Sequence, residues 1–175
     1  KNKEKFTFFC PQRMGIPKGT DILWESLKFC KSDFQILQVD WRDDGTEEED
    51  RLSLKLKENL PSQVKLIPMI KRKDMPKYYQ WSDGVIGNLR IGSFEYVELE
   101  AVMLKKPVIN YTNKNIQIIL DGGENESPFE PNSNDPKEIA KFIDDFVTSE
   151  KLRLDLLKKE FDFVQRISNP EKAAE

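Results

Sequence analysis

Two cations, Arg13 and Lys18, stand five residues apart on a loop that leads into a predicted helix. The loop follows an apolar run that ends at Cys10, and it closes at Gly19, next to Thr20, a residue type that caps helices well. Amides at a helix N-terminus add positive potential to that of the two side chains. This arrangement favours binding of a diphosphate, although the loop has neither the Walker nor the GxGxxG pattern. The alternative is that both cations are ordinary solvated charges.

A second segment suited to binding an anion runs from Gly92 to Glu100. We predict a helix from about Ser93 to Leu104, so that the Gly92-Ser93 pair opens it and offers free backbone N–H groups. Glu100 lies about two turns into this helix and has the chemistry to accept hydrogen bonds from hydroxyl groups. For Glu100 a surface salt bridge is the alternative, and for Glu98 a solvated helix face.

The composition excludes several catalytic classes. The chain contains no histidine, and Ser-His-Asp triads, HExxH zinc sites and imidazole bases all require it. Cys10 and Cys30 are predicted to be buried thiols of a reducing compartment, which indicates a cytoplasmic protein. The acidic pairs at 43–44 and 144–145 are interpreted as solvated, and we assign no metal or other cofactor.

Charge and length limit the classes of partner. The chain has 175 residues and a net charge of −3, with lysine and arginine interspersed among acidic residues. No nucleic-acid partner is expected, because electrostatic binding needs a basic stripe. No apolar run approaches the roughly eighteen residues of a membrane span, and no secretion signal is visible. The size fits a single domain over 1–175, and the missing initial methionine predicts a fragment of a longer protein.

Apolar runs and helical patterns alternate along the chain, which predicts an α/β fold with a parallel sheet. Strands are predicted at Phe6–Cys10, Phe34–Val39, Val64–Ile67, Gly84–Gly87 and Val108–Tyr111. Helices are predicted from Thr20, through Leu52, Leu56 and Leu60, over Met75–Trp81, over Ser93–Leu104, from Asp135 and over Ser149–Val164. The prediction is a Rossmann-like, doubly wound parallel sheet with helices on both faces, which binds ligands beyond the carboxyl ends of its strands. Trp81 is assigned to the core, and 122–134 to an exposed connection.

Three segments, in order, resemble motifs of the group 1 (family 4) glycosyltransferases, which have the GT-B fold. The loop from Arg13 to Gly19 is similar to the family's Arg-x4-Lys-Gly loop. The segment 64–83 resembles its "V-x-F-x-G-x-V … L-x-x-x-Y-x-x-A-D" block, and 100–109 resembles its "E-A-M-A-x-G-x-P-V-I" end. The match covers essentially the whole chain, which therefore looks like the C-terminal, nucleotide-sugar-binding half of such an enzyme.

The resemblance implies roles for the matched positions. Arg13 and Lys18 would hold the donor's pyrophosphate and stabilise it as a leaving group without a metal. Glu100 would accept the ribose hydroxyls, and the backbone near Met69 and Ile70 would meet the base. Further donor-binding positions implied in this way are Gly92, Ser93, Phe94 and Glu95. The implied partners are a nucleotide sugar and an N-terminal acceptor domain, and peripheral membrane association of the full enzyme stays open.

The chain also departs from the family pattern. The first acid of the family's Glu-x7-Glu motif falls on Gly92, with Glu95 nearby, and Pro68 stands where a glycine is usual. Val-Asp-Trp at 39–41 replaces the Gly-x-Gly often found after the second strand. Three hypotheses remain: the donor-binding domain of a retaining glycosyltransferase, inactive by itself; a degenerate, non-catalytic Rossmann-like interaction module; and an epimerase of the same architecture, whose acidic and histidine residues this chain does not supply.

Overall fold

The computed structural model describes residues 5–41, 45–116, 118–120 and 123–168. Its strands are β1 (Phe6–Cys10), β2 (Phe34–Val39), β3 (Val64–Ile67), β4 (Gly84–Ile86), β5 (Val108–Ile109), β6 (Ile118–Leu120) and β7 (Gly123–Asn125). Its helices are α1 (Thr20–Leu27), α2 (Glu47–Glu58), α3 (Met75–Trp81), α4 (Tyr96–Met103), α5 (Pro136–Thr148) and α6 (Glu150–Ile167). Short 3-10 helices at Ile16–Lys18 and Arg72–Asp74 precede α1 and α3.

The first five strands form one parallel sheet in the order β3-β2-β1-β4-β5. The central strand β1 pairs with β2 from Phe6 opposite Phe34 onward, and with β4 at Phe8 opposite Gly84. The chain winds outward from β1 to β3 and then returns to the other side of β1 with β4. The direction of winding therefore reverses between β1 and β4, and such a switch point opens a crevice at the carboxyl ends of the strands.

Helices cover both faces of the sheet over two apolar clusters. Since successive side chains of a strand point to opposite faces, Phe8 joins one cluster and Phe9 the other. The Phe8 cluster includes buried residues of α1 and α5, whereas the Phe9 cluster includes Tyr79 of α3 and buried residues of α4 and α6. The rings of Phe9 and Tyr79 meet edge to face, 5.2 Å apart. These observations confirm the predicted doubly wound, Rossmann-like α/β fold.

Several predicted boundaries were wrong. Strand β4 ends at Ile86 instead of Gly87, β5 ends at Ile109 instead of Tyr111, and α6 extends to Ile167 instead of Val164. The helix predicted from Ser93 begins three residues later, at Tyr96. The start of α4 is set by the capping box between Glu95 and Glu98, and α6 ends where the Ser168 N–H donates to the Val164 carbonyl. Apolar periodicity does not reveal such end contacts, and the ends of elements are defined only to within one or two residues.

Two predictions about burial also failed. Trp81, assigned to the core, is 42% exposed, because Tyr79 occupies the inward position of α3. The connection assigned to 122–134 holds strand β7 and the fully buried Phe129, whose ring lies 5.7 Å from that of Phe94. Cys10 is buried as predicted, while Cys30 is half-buried and both thiols are free. The acidic pair at 43–44 lies outside the described residues.

Candidate functional site

The loop after β1 is fixed so that its cations face the crevice at the switch point. Met14 is fully buried, and its N–H donates to the Trp41 carbonyl at 2.6 Å. Gly19 links the 3-10 helix to α1 in the left-handed conformation, with φ of 73°. A Cβ at Gly19 would lie 2.9 Å from the carbonyl carbon of Leu89, so only glycine lets the two loops pack this closely. The loop is consequently held against the segment that follows β4.

Arg13 and Lys18 lie on the same pocket wall but have different neighbours. The Arg13 guanidinium stacks over the Trp41 ring, 5.5 Å from its centroid, a distance typical of a cation–π contact. The Lys18 ammonium lies 2.6 Å from each carboxylate oxygen of Glu95. The Lys18 side chain is only 16% exposed. The cations predicted from the sequence thus lie at the crevice, and one of them forms an ion pair across it.

Glu98 determines where Glu95 is placed. Its carboxylate is fully buried and accepts hydrogen bonds from the Glu95 N–H at 2.6 Å and from the Asn88 N–H at 3.2 Å. Burial raises the pKa of Glu98. The interpretation of Glu98 as part of a solvated helix face was therefore wrong. A charged residue at this helix position gives no local sign of burial, so the sequence alone would not have revealed it.

Glu100 is paired with a cation from the connection between β3 and α3. An Arg72 guanidinium nitrogen lies 2.8 Å from the Glu100 carboxylate, and the Tyr79 hydroxyl lies 3.5 Å away. Burial raises the pKa of Tyr79, which keeps that hydroxyl protonated. Glu100 thus forms a salt bridge, which the sequence analysis gave as the alternative to a ligand-binding role. Sequence reasoning missed Arg72, although the basic run at 71–73, three residues beyond the end of β3, was a usable signal.

These segments line one groove along the carboxyl ends of the strands. The loop after β1 and the start of α4 line a pocket of about 620 Å³. A smaller pocket of about 210 Å³ adjoins it and is lined also by residues between β3 and α3. Trp41, Tyr96, Pro11 and Val97 line both. The groove brings together seven of the predicted site residues: Arg13, Lys18, Met69, Ile70, Phe94, Glu95 and Glu100.

Gly92 and Ser93 are not among the residues that line the groove. Gly92 is buried in the left-handed conformation, with φ of 84°, and its carbonyl accepts a hydrogen bond from the Asn113 N–H at 3.0 Å. The Ser93 carbonyl accepts one from the Asn110 side-chain amide at 3.2 Å. The expectation that Gly92-Ser93 opens a helix was wrong, because α4 starts at Tyr96. Their contribution to donor binding stays a prediction.

The described residues contain neither a cluster suited to a metal ion nor a helix suited to a membrane. Within them, no three histidine, cysteine or carboxylate side chains come close enough together to hold a metal ion. No helix in the described part of the chain has the length and apolar character needed to cross a membrane.

The fold and groove define a Rossmann-like domain with a candidate anion-binding site at its switch point. The chain belongs to the family of group 1 glycosyl transferases, whose family model matches residues 1–161. Its architecture is that of the C-terminal half of a GT-B fold. A comparison with curated proteins finds no match.

Solved structures share this fold at low sequence identity. HepE of Anabaena, in complex with UDP-glucose, aligns with a TM-score of 0.68 and 19% identity over 93% of this chain and 45% of its own. Sucrose-phosphate synthase of Thermosynechococcus elongatus aligns with a TM-score of 0.70 and 20% identity over 96% and 42%. The C-terminal domain of a group 1 family protein, LpcC of Francisella tularensis, aligns with a TM-score of 0.64 and 21% identity. That alignment covers 91% of this chain and 84% of the LpcC domain. This chain thus spans less than half the length of the first two proteins.

Proposed function

We propose that this chain is the donor-binding domain of a retaining glycosyltransferase, which binds a nucleotide-diphosphate sugar and transfers the sugar when joined to an N-terminal acceptor domain. The proposal depends above all on one observation: Arg13 and Lys18 lie at the switch point of the sheet, in the same groove as Glu100. HepE, which shares the fold, has been solved with UDP-glucose, and this supports the class of ligand. Alone, the domain would bind the donor without transferring it.

The groove residues suit a reaction in which a diphosphate leaves. Charge that develops on the leaving phosphate is stabilised by Arg13 and Lys18, and more strongly in a partly desolvated pocket than in water. No metal is needed for this role. Glu100 would accept the ribose hydroxyls, in exchange for part of its contact with Arg72. The backbone at Met69 and Ile70, at the far end of the groove, would meet the base.

Removing either cation should weaken nucleotide binding. Arg13→Ala and Lys18→Ala are each expected to lower the affinity for a nucleoside diphosphate roughly 10- to 100-fold, because hydrogen bonds to charged groups contribute about 1.5–3 kcal/mol. Titration calorimetry with UDP, GDP and ADP measures this and shows which base is bound. Lys55→Ala removes the same charge from the exposed side of α2 and should leave the affinity unchanged. If none of the three nucleotides binds the unaltered chain, the proposal fails.

A second candidate function is a non-catalytic interaction module. It is favoured by the absence of the first motif acid at Gly92 and by large apolar side chains exposed along the groove. Trp41 is 44% exposed, Met69 59% and Tyr96 84%. A partner protein would cover such a surface. Binding of a nucleotide that Arg13→Ala abolishes would decide against this candidate. A cytoplasmic location, inferred from the two free thiols, is common to both proposals.

A further inference from the structure

The ion pair between Lys18 and Glu95 is held in place from both sides of the groove. The Lys18 carbonyl accepts a hydrogen bond from the Leu89 N–H at 3.2 Å, and the Glu95 N–H donates to the buried Glu98. Both Glu95 oxygens lie 2.6 Å from the ammonium, and the two side chains are 16% and 31% exposed. A partly buried pair in this geometry is more than a chance contact of two mobile surface side chains.

Glu95 is the one acid among the described residues that line the larger pocket. The other lining side chains are either the cations Arg13 and Lys18 or uncharged groups. A carboxylate and a phosphate make the same kind of charge-assisted hydrogen bond with an ammonium group. The Glu95 carboxylate therefore occupies, at Lys18, the position that a phosphate oxygen of a ligand would take.

We propose that Glu95 is an affinity-determining residue that competes with the donor's diphosphate for Lys18. This inference rests on the proposed function. In the ligand-free domain the carboxylate neutralises the lysine, and a diphosphate binds by displacing it. The displaced side chain turns toward solvent, to which about a third of it is already open. Each binding event thus loses one ion pair when it gains another, so the affinity is lower than it would be if Lys18 had no carboxylate partner.

The consequence is that removing the Glu95 charge should strengthen binding. Glu95→Gln keeps the side-chain length at the start of α4 and removes both the competition and the negative charge beside the ligand. We expect the affinity for inorganic pyrophosphate, and for whichever of UDP, GDP and ADP binds, to rise about tenfold. Glu58→Gln, an exposed residue at the end of α2, removes the same charge elsewhere and should have no effect.

A double-mutant cycle tells competition from general repulsion. If Glu95 acts through Lys18, the gain from Glu95→Gln disappears in the Lys18→Ala background; if it merely repels the ligand, the gain persists there. Calorimetric titration of the 175-residue chain and its three variants with pyrophosphate and the nucleotides gives all four affinities, and thermal melting checks that each variant folds.

The outcomes separate this inference from the proposed function. A Lys18-dependent gain in affinity over the measured affinity of the unaltered chain supports the inference. Equal affinities with and without Glu95→Gln, or weaker binding, overturn it, while loss of binding in Arg13→Ala still upholds the donor site. A gain that persists without Lys18 overturns it as well. If the unaltered chain binds none of the nucleotides, both proposals fail, because the inference rests on the proposed function.

Discussion

Replacing Gly92 by glutamate, which would restore the missing acid of the family motif, is expected to lower the free energy of unfolding by at least about 3 kcal/mol. Gly92 has φ of 84°, a backbone conformation that residues other than glycine rarely adopt. A Cβ there would lie 2.5 Å from the Asn113 Cβ and 2.8 Å from its backbone nitrogen. The backbones of the two loops would have to move apart, and the hydrogen bond from the Asn113 N–H to the Gly92 carbonyl would break.

Urea denaturation of Gly92→Glu and Gly92→Ala measures this effect, and the alanine variant isolates the backbone from the charge. Gly45→Ala is the matched control, because a Cβ at Gly45 meets only the end of the flexible Glu49 side chain. We expect that control to cost at most about 1 kcal/mol, because its Cβ would displace only the Glu49 carboxylate that accepts from the Thr46 N–H at the start of α2. A Gly92→Glu protein as stable as the unaltered chain would contradict the tight packing described here. If the prediction holds, the acid cannot be added back without rebuilding the turn at Asn113.

Replacing Glu160 by glutamine should change how stability depends on pH. Glu160 is fully buried on α6, and its carboxylate oxygens lie 3.1 and 3.3 Å from the Val108 N–H of β5. Burial raises its pKa well above the ordinary value of 4.5. Between 4.5 and this raised pKa the folded state therefore binds the proton that the unfolded state has lost. Stability consequently falls as the pH rises through this window, by up to about 1.4 kcal/mol per pH unit.

The glutamine variant retains an oxygen that can accept from Val108 and has no proton to lose. We expect its advantage over the unaltered chain to grow as the pH is raised from 5 to about 8, when unfolding is followed in urea at each pH. Part of the pH dependence of stability should remain in the glutamine variant, because Glu98 is also buried with a raised pKa. For Glu58→Gln, on the exposed end of α2, the curve of unfolding free energy against pH should run parallel to that of the unaltered chain. Parallel curves for Glu160→Gln itself would contradict the prediction.

The sequence by itself determined the class of fold and the first wall of the groove. The bounds predicted for β1, β2 and β3 are those observed, since each is a mostly apolar segment bounded by proline or polar residues. The start of α5 could also be predicted, because Asp135 caps the helix and Pro136 occupies its first position. Arg13 and Lys18 follow a strand at the sheet centre, and topology then places them at the switch point. Such features depend on residues close together in the chain, and that is why local patterns reveal them.

Only the tertiary structure decided which side chains meet in the groove. Lys18 and Glu95 are 77 positions apart and Arg72 and Glu100 are 28 apart, yet each pair forms an ion pair because the ends of parallel strands converge. The same convergence buries Glu98 and packs Gly92 against Asn113. A charge pattern cannot distinguish a buried or paired carboxylate from a solvated one, because the partner is supplied by a different strand. The geometry of the sheet therefore makes a groove out of residues that the sequence presents only as separate motifs.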